Sequence, residues 1–258
     1  MGQADVLMAA LTQAEEFIAA GADILDIGGE STRPGAHAVS EGEELDRVIP
    51  VIKTLRSNGI DALISIDTFK ATIAEAALDS GADWINDVWG FRADERMAKV
   101  AGKWQAPVIL MHNRSKPNQV ELREKLGGQY LGATYNNLLE DVNKELLESV
   151  DLARLAGVKD EKIILDPGIG FGKSIEQNME LINRLDEIKT LGFPVLLGPS
   201  RKSFIGYTLD LPPDERLEGT LAVCAVGIVR GADILRVHDV QQVVRVAKMT
   251  DAIVRVKN

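Results

Sequence analysis

The sequence predicts an α/β fold of the TIM (β/α)8-type barrel class, in which parallel strands and helices alternate along one chain. Three observations support this prediction. The chain has 258 residues, close to the roughly 250 residues typical of such barrels. Short apolar runs alternate with segments of helical periodicity along its whole length. The tripeptide Gly-Ala-Asp recurs at residues 21–23, 81–83 and 231–233, each time between a helical segment and an apolar run.

Seven segments are predicted to be buried parallel strands, since they are short and mostly apolar. They are residues 23–29, 62–68, 84–90, 107–112, 162–167, 194–200 and 232–238. Eight segments have helical periodicity: residues 3–20, 43–57, 70–80, 94–104, 134–156, 175–191, 215–230 and 239–256. A glycine just after each helix explains the repeated tripeptide as a turn into the next strand. No linker or composition shift divides the chain, so we expect a single domain, residues 1–258.

The chain opens in a helix, whereas a (β/α)8 barrel opens in a strand. A barrel without one strand would leave the edges of its first and last strands unpaired. We therefore expect a missing first strand and its following loop to lie upstream of Met1. The alternative is an open sheet of seven strands. Residues 113–133 are polar, and we expect a surface excursion there.

Composition excludes several functional classes. The net charge of -10 argues against a nucleic-acid partner and against binding to an anionic membrane. No apolar run reaches the roughly 18 residues of a membrane span, and no signal peptide is visible. The only cysteine, Cys224, lies in an apolar run and is expected to be a packed core thiol. A chain that cannot form an intrachain disulfide suits the cytoplasm.

Polar side chains end the predicted strands, and in a barrel these ends meet on one face. One group consists of short side chains that can hydrogen-bond a flat heterocycle: Asp67, Asn86 and Asp166. Another group suits a phosphate or diphosphate: Arg33, Lys202, Arg236 and His238. Arg236 and His238 are two residues apart on a predicted strand and should share a face. A salt bridge with Asp166 or Asp239 is the alternative role for Arg236.

The glycine-rich run at residues 166–174, Asp-Pro-Gly-Ile-Gly-Phe-Gly-Lys-Ser, is not a nucleotide-binding loop. A P-loop requires glycine where this chain has Pro167, and the spacing also fails the dinucleotide pattern. The run is interpreted as a flexible floor under a planar ligand, with Phe171 as an apolar wall.

Six motifs together resemble the dihydropteroate synthase family of bacterial folate synthesis. They are Asp23-Ile-Leu-Asp-Ile-Gly-Gly-Glu-Ser-Thr-Arg-Pro-Gly35, Ile66-Asp-Thr68, Ile85-Asn-Asp87, Leu165-Asp-Pro-Gly-Ile-Gly-Phe-Gly-Lys173, Ser200-Arg-Lys-Ser-Phe204 and Arg236-Val-His-Asp239. The resemblance implies a transferase that condenses 6-hydroxymethyl-7,8-dihydropterin diphosphate with 4-aminobenzoate and releases diphosphate. It also implies Mg²⁺ assistance and a homodimer.

The same resemblance assigns roles to individual residues. The pterin would be held by Asp67, Asn86, Asp166 and Lys202, and the diphosphate by Arg236 and His238, with Val237 between them. The aminobenzoate side would be shaped by Thr32, Arg33, Phe171 and Ser203. The residues expected to act in catalysis are Lys202, Arg236 and His238. No residue of this chain is assigned as a metal ligand, because the family's metal-contacting asparagine belongs to the first loop, which residues 1–20 do not contain.

Two alternative functions stay open at this point. If Met1 is the true start, the chain is a non-catalytic pterin-binding paralogue or a truncated inactive form. A pterin-dependent methyltransferase on the same barrel is the third hypothesis. The cationic set at residues 200–203, 236 and 238 favours an anionic leaving group and therefore argues against methyl transfer.

Overall fold

The computed structural model of the protein describes residues 2–32, 36–116 and 119–255. The chain divides into two compact units. The first comprises Met1–Thr32, His37–Leu110 and Ser149–Ile163, and the second comprises the rest of the chain. The single domain expected over residues 1–258 stays a prediction.

The described residues alternate between helices and strands, as the sequence predicted. The α-helices are α1 Gln3–Ala19, α2 Glu41–Ser57, α3 Ala71–Asp79, α4 Met97–Trp104, α5 Leu138–Leu155, α6 Ile175–Asn183, α7 Leu185–Lys189, α8 Ser203–Leu209, α9 Leu217–Val229 and α10 Val240–Val254. The strands are β1 Ile24–Gly28, β2 Leu63–Asp67, β3 Trp84–Asp87, β4 Val108–Met111, β5 Val120–Arg123, β6 Gly127–Tyr130, β7 Ile163–Asp166, β8 Leu196–Leu197 and β9 Ile234–Leu235.

The strands pair in the order in which they occur along the chain. Strands β1 to β4 pair in parallel, and β7 is the fifth strand of their sheet. Strands β8 and β9 also pair in parallel, and an isolated parallel bridge joins Leu165 to Val195. Every predicted strand segment contains an observed strand, and sequential parallel strands separated by helices confirm the α/β class. A further strand upstream of Met1 stays a prediction.

The core of the first unit lies between these strands and the helices that follow them. Three isoleucines on β2 and β3 have no exposed surface: Ile64, Ile66 and Ile85. Helix α2 turns a buried stripe toward the strands, formed by Val48, Ile52 and Leu55. These positions are three or four residues apart, as expected for one face of a helix. The strand residues can be apolar at consecutive positions because helices cover a parallel sheet.

The Gly-Ala-Asp tripeptide at residues 81–83 joins a helix, a turn and two strands. Gly81 ends the turn with a φ of 108°, a left-handed conformation that glycine adopts without steric cost. The Asp83 carboxylate accepts a hydrogen bond from the backbone N–H of Ile64 at 2.7 Å and pairs with Arg56 at 2.5 Å. Arg56 also donates to the carbonyl of Gly81 at 2.9 Å. The aspartate therefore fixes the start of the neighbouring strand to the end of the preceding helix.

The same arrangement recurs in the second unit at residues 231–233. Gly231 has a φ of 101°. The Asp233 carboxylate accepts from the backbone N–H of Val195 at 2.7 Å and pairs with Lys189. The repeat is therefore more than a helix-ending glycine, because its aspartate clamps adjacent strands.

Three local features differ from the prediction. The helix expected over residues 175–191 is divided at Arg184, whose φ of -114° leaves the helical region and whose guanidinium pairs with Glu180 and Glu187 on either side of the break. Helix α8 was not predicted, because two turns are too short for periodicity to stand out. The excursion expected over residues 113–133 contains an antiparallel hairpin of β5 and β6. In the part of the chain that the structure describes, no helix combines the length and apolarity needed to cross a membrane.

A buried arginine holds the hairpin and α8 together within the second unit. Arg216 is only 2% exposed and donates to the carbonyls of Leu126 at 2.8 Å, Arg201 at 3.0 Å and Leu211 at 3.0 Å. Gly206 makes room for the guanidinium, since an added Cβ would lie 2.1 Å from it. Burial lowers the pKa of Arg216 from its ordinary value. The guanidinium thus works as a multiple hydrogen-bond donor to three separate backbone segments.

Replacement of the Arg216 guanidinium should make the second unit easier to unfold. We expect Arg216→Leu to lower the free energy of unfolding by about 3 kcal/mol, because three backbone carbonyls lose a donor and each unmade bond costs about 1–3 kcal/mol. Urea denaturation followed by circular dichroism measures the change. Arg154→Leu, which removes an exposed arginine paired with Asp160, is the matched control and should change little. Equal effects of the two substitutions would contradict this role.

Candidate active site

Three neighbouring strands of the first unit carry polar side chains near their C-terminal ends. Asp67 ends β2 and is in register with Asn86 on β3. The Asn86 amide nitrogen lies 3.3 Å from a carboxylate oxygen of Asp26 on β1. Asn86 is buried, whereas Asp26 and Asp67 are half-buried. Asp67 and Asn86 were predicted from the sequence, whereas Asp26 was not. Asp26 lies two residues before Gly28, which pairs with Asp67.

A partly buried ion cluster fixes the loop that follows β1. The Lys70 ammonium lies 2.7 Å from Glu30, 2.6 Å from Glu44 and 2.6 Å from the carbonyl of Val39. Thr68 donates its hydroxyl to Glu44 at 2.8 Å. Burial opposes the charge of Lys70, but its two carboxylate partners outweigh burial and raise its pKa. Glu30 and Thr68, which also follow predicted strands, are therefore engaged in holding the loop.

In the second unit, Asp166 ends β7 as a buried carboxylate. It is 6% exposed and accepts a hydrogen bond from the backbone N–H of Gly168 at 2.7 Å. Burial raises its pKa, while Lys202, the Gly168 N–H, Lys173 and Arg236 act in the opposite direction. Burial thus disfavours ionisation of the Asp166 carboxylate, and the nearby positive groups favour it.

Lys202 and Phe171 lie beside this carboxylate and form a cation–aromatic stack. The Lys202 ammonium donates to the carbonyl of Ile169 and lies 4.4 Å from the centroid of the Phe171 ring. The Tyr130 ring, on the hairpin, stacks on Phe171 with centroids 6.2 Å apart. Phe171 is half-buried. The sequence analysis predicted Phe171 as a wall but missed Tyr130, because the hairpin's position could not be inferred from local sequence.

The segment after β9 presents its predicted anion-binding side chains to solvent. Arg236 and His238 are both exposed. Ser200 and His238 lie side by side, with 2.9 Å between the serine hydroxyl and Nδ1 of the imidazole. Strand β9 ends at Leu235, so Arg236 and His238 lie beyond it. The prediction that they share a face because they alternate on a strand was therefore wrong in its basis. Asp239 is bound by Arg201 at 2.5 Å. The alternative role of Arg236, a salt bridge with Asp166 or Asp239, stays a prediction.

Four predicted residues remain: Thr32, Arg33, Ser203 and Val237. Thr32 is half-buried in the loop after β1, and Arg33 lies outside the described residues. Ser203 is the first residue of α8 and is half-buried. Val237 is half-buried between Arg236 and His238.

The glycine loop at residues 168–172 is tightly packed, which corrects its interpretation as a flexible floor. A Cβ on Gly168 would lie 1.8 Å from the carbonyl oxygen of His112, and one on Gly172 would lie 2.4 Å from the carbonyl carbon of Arg114. Both glycines have left-handed φ values, 70° and 64°. The close approach of the neighbouring chain at residues 112–115 therefore requires glycine at positions 168 and 172.

A buried polar cluster that sequence reasoning missed lies behind this loop. The Lys173 ammonium lies 3.0 Å from Nδ1 of His112 and donates to the carbonyls of Gly168 at 2.9 Å and Phe171 at 3.1 Å. On the other side of the imidazole, Nε2 of His112 lies 3.1 Å from a carboxylate oxygen of Glu145. His112 ends a predicted strand and Lys173 follows the last glycine of the glycine-rich run, so each residue can be recognised in the sequence. Neither pattern predicts that the two side chains are in contact.

A divalent cation would be held by carboxylate, imidazole or thiolate groups of the protein. Among residues 2–32, 36–116 and 119–255, no three such side chains are close enough together to hold a metal ion. Mg²⁺ usually keeps water and substrate phosphate ligands, but these residues alone do not build a site for it. The one cysteine, Cys224, is fully buried, and burial raises its pKa to about 12, which confirms a packed thiol.

Comparison with known proteins assigns this arrangement to one family. Residues 2–238 match the family described as pterin binding enzyme. A dihydropteroate synthase from Clostridium beijerinckii is 52% identical over 95% of this chain and 86% of the relative. A dihydropteroate synthase structure from Clostridium difficile, obtained in the presence of pteroic acid, has a TM-score of 0.88 and 49% identity, covering 97% of this chain and 89% of that one. A Xanthomonas albilineans dihydropteroate synthase with 4-aminobenzoic acid has a TM-score of 0.88 and 36% identity, covering 100% and 89%.

Two glycines with left-handed φ values give a test of how tightly the loop packs. We expect Gly172→Ala to lower the free energy of unfolding by about 3 kcal/mol, since a φ of 64° strains alanine by about 1–2 kcal/mol and the clash with residue 114 adds to it. Gly59→Ala is the matched control, because Gly59 has a φ of 78° and open space at the Cβ position. It should cost only the strain, and a loss as large as that of Gly172→Ala would contradict tight packing.

Proposed function

The chain belongs to the pterin-binding enzyme family, and we propose that its reaction is that of a dihydropteroate synthase. In this reaction 6-hydroxymethyl-7,8-dihydropterin diphosphate condenses with 4-aminobenzoate to give 7,8-dihydropteroate and diphosphate. The observation that carries the proposal is 52% identity to a dihydropteroate synthase over 95% of the chain. No feature of the described residues favours methyl transfer or a binding-only role over this activity.

Recognition of the pterin is proposed for buried and half-buried polar groups. They are Asp67, Asn86, Asp166 and Lys202. A pterin ring carries several N–H donors and ring acceptors along its edge, and carboxylates and an amide can satisfy them. Support comes from the Asp26 contact that orients the Asn86 amide and from the positive groups that favour an ionised Asp166.

Arg236 and His238 are the proposed diphosphate-binding groups. Both are exposed and cationic or able to become so. In the reaction, the amine nitrogen of 4-aminobenzoate forms a bond to the pterin CH2 carbon while the bond from that carbon to the diphosphate oxygen breaks. The electron pair leaves with diphosphate, and the amine loses a proton. Positive side chains stabilise the departing charge, and the protein's contribution is positioning and electrostatics.

The aminobenzoate side is proposed for Thr32, Phe171 and Ser203, together with Arg33. Phe171 supports this assignment, because it is a half-buried aromatic ring in contact with Lys202 and Tyr130 and can pack against a second ring. The Mg²⁺ expected from the family resemblance remains a proposal, and no step is assigned to it because no ligand set for it is present among the described residues.

Two further features of the proposal concern the whole protein. We propose a homodimer through α9 and α10, where five large apolar side chains are exposed: Val226, Val229, Met249, Ile253 and Val254. We also place the protein in the cytoplasm, because its one cysteine is a free thiol, as suits a reducing compartment.

Pterin binding should depend on Asp166 and Lys202. We expect Asp166→Asn and Lys202→Met each to weaken binding of 6-hydroxymethylpterin by on the order of 1–3 kcal/mol, about 5- to 150-fold, since a buried polar partner is left unsatisfied. Isothermal titration calorimetry measures the affinity, and product formation from both substrates measures the activity. Lys103→Met, at an exposed ion pair with Glu75, is the control. Unchanged affinity in both variants would show that the pterin binds at a different site. No product formation by the parent chain would contradict the proposed activity.

The dimer should depend on the exposed apolar face of α10. Met249 is 62% exposed, and we expect Met249→Glu to convert the dimer to a monomer, because it places a charge in an apolar contact. Light scattering during size-exclusion chromatography gives the mass. Met8→Glu is the matched control, since Met8 is 59% exposed on α1 and should leave the dimer intact. A monomeric parent chain would contradict the proposal.

A further inference from the structure

We propose that Lys173 is a positioning residue for Asp166, acting from behind the glycine loop to keep the carboxylate oriented and ionised. This inference rests on the proposed function, in which Asp166 binds the pterin. Lys173 itself is 2% exposed, so its role is exerted through the groups it touches.

The geometry links the two side chains through one residue. The backbone N–H of Gly168 donates to Asp166 at 2.7 Å, and the carbonyl of the same glycine accepts from Lys173 at 2.9 Å. Lys173 also donates to the carbonyl of Phe171 at 3.1 Å, the other end of the loop. An ammonium has three N–H donors, and the third points to Nδ1 of His112 at 3.0 Å. Loss of the ammonium would therefore free the loop that orients Asp166.

The imidazole of His112 is arranged to accept this third hydrogen bond. When Nδ1 accepts from Lys173, the ring proton lies on Nε2, which faces Glu145 at 3.1 Å. Glu145 is in turn held by Arg114, whose guanidinium stacks on the Tyr135 ring with 4.4 Å to the centroid. In this tautomer Nδ1 of His112 accepts the hydrogen bond that the lysine ammonium donates, and the proton stays on Lys173.

Charge is the second contribution. The charged groups acting on Asp166 are Lys202, Lys173 and Arg236, which lower its pKa against the effect of burial. Burial lowers the pKa of Lys173 to about 7; Asp166 and Glu145 act to raise it, and Lys202 and Arg114 to lower it. Near neutral pH the Lys173 charge is thus within reach of titration, and its loss makes Asp166 easier to protonate.

The test is the pH dependence of pterin affinity in Lys173→Met. Calorimetry with 6-hydroxymethylpterin between pH 5 and pH 9 should show at least tenfold weaker binding at pH 7. Removal of the positive charge raises the Asp166 pKa, so affinity should start to fall at a higher pH on acidification, by about one pH unit. The acid limb is the part of the affinity–pH curve in which affinity falls on acidification. Lys173→Arg keeps the charge and should return the acid limb toward the pH at which it lies in the parent chain. Lys125→Met, at an exposed pair with Asp210, is the control and should leave the acid limb at the same pH.

A double-mutant cycle separates action through Asp166 from a general loosening of the fold. On the Asp166→Asn background, the further change Lys173→Met should weaken pterin binding less than twofold. If the two substitutions multiply, or if the acid limb of Lys173→Met equals that of the parent chain, the inference is overturned.

A second variant keeps the inference testable if Lys173→Met does not fold. Glu145→Gln removes a carboxylate that raises the Lys173 pKa, so the ammonium should lose its proton at lower pH and the alkaline loss of affinity should begin earlier. An alkaline limb unmoved by Glu145→Gln would overturn the inference. Failure of the parent chain to bind the pterin would instead refute the proposed function, which distinguishes the two failures.

Discussion

A buried ammonium must have all three N–H groups satisfied, and in the second unit this requirement shapes the loop after β7. Lys173 meets it with two carbonyls of the loop and one imidazole nitrogen. Gly168 and Gly172 have left-handed backbone conformations and lie against the chain at residues 112–115, so the loop that carries the two carbonyls is held in place. The position of Asp166, which is bonded to the same loop, follows from this packing.

The two units stabilise a half-buried and a buried lysine in different ways. Lys70 lies between two carboxylates, which outweigh burial and raise its pKa, so its charge persists and serves to hold a loop. Among the described residues, no carboxylate lies within ion-pair distance of Lys173. Its ammonium meets neutral acceptors, so burial lowers its pKa to about 7. Carboxylate pairing therefore separates a permanent structural charge from one that can respond to its surroundings.

Much of the fold could be predicted because alternation of apolar and helical segments is a local signal, and the predicted strands were found. Asp67 and Asn86 could be predicted as candidates because strand ends are recognisable. The partner of Lys173 could not, since His112 is 61 residues away in sequence and their contact depends on how the chain folds back. The hairpin that brings Tyr130 to Phe171 was missed for the same reason. Local patterns locate residues on elements but do not choose their distant neighbours.

The clamps at residues 81–83 and 231–233 have a consequence for recombination between relatives. In each clamp the basic residue and the aspartate belong to consecutive helix–strand repeats, as in the pair of Arg56 with Asp83. A chimaera whose crossover falls between them inherits the two partners from different parents, and it can lose a hydrogen bond to the start of a strand even if both parental repeats are intact. Crossovers placed outside residues 56–83 or 189–233 keep each pair together. The segment that should be exchanged as a whole therefore begins in one helix and ends at the start of the strand of the next repeat, so its boundaries differ from those of the strand–helix repeat.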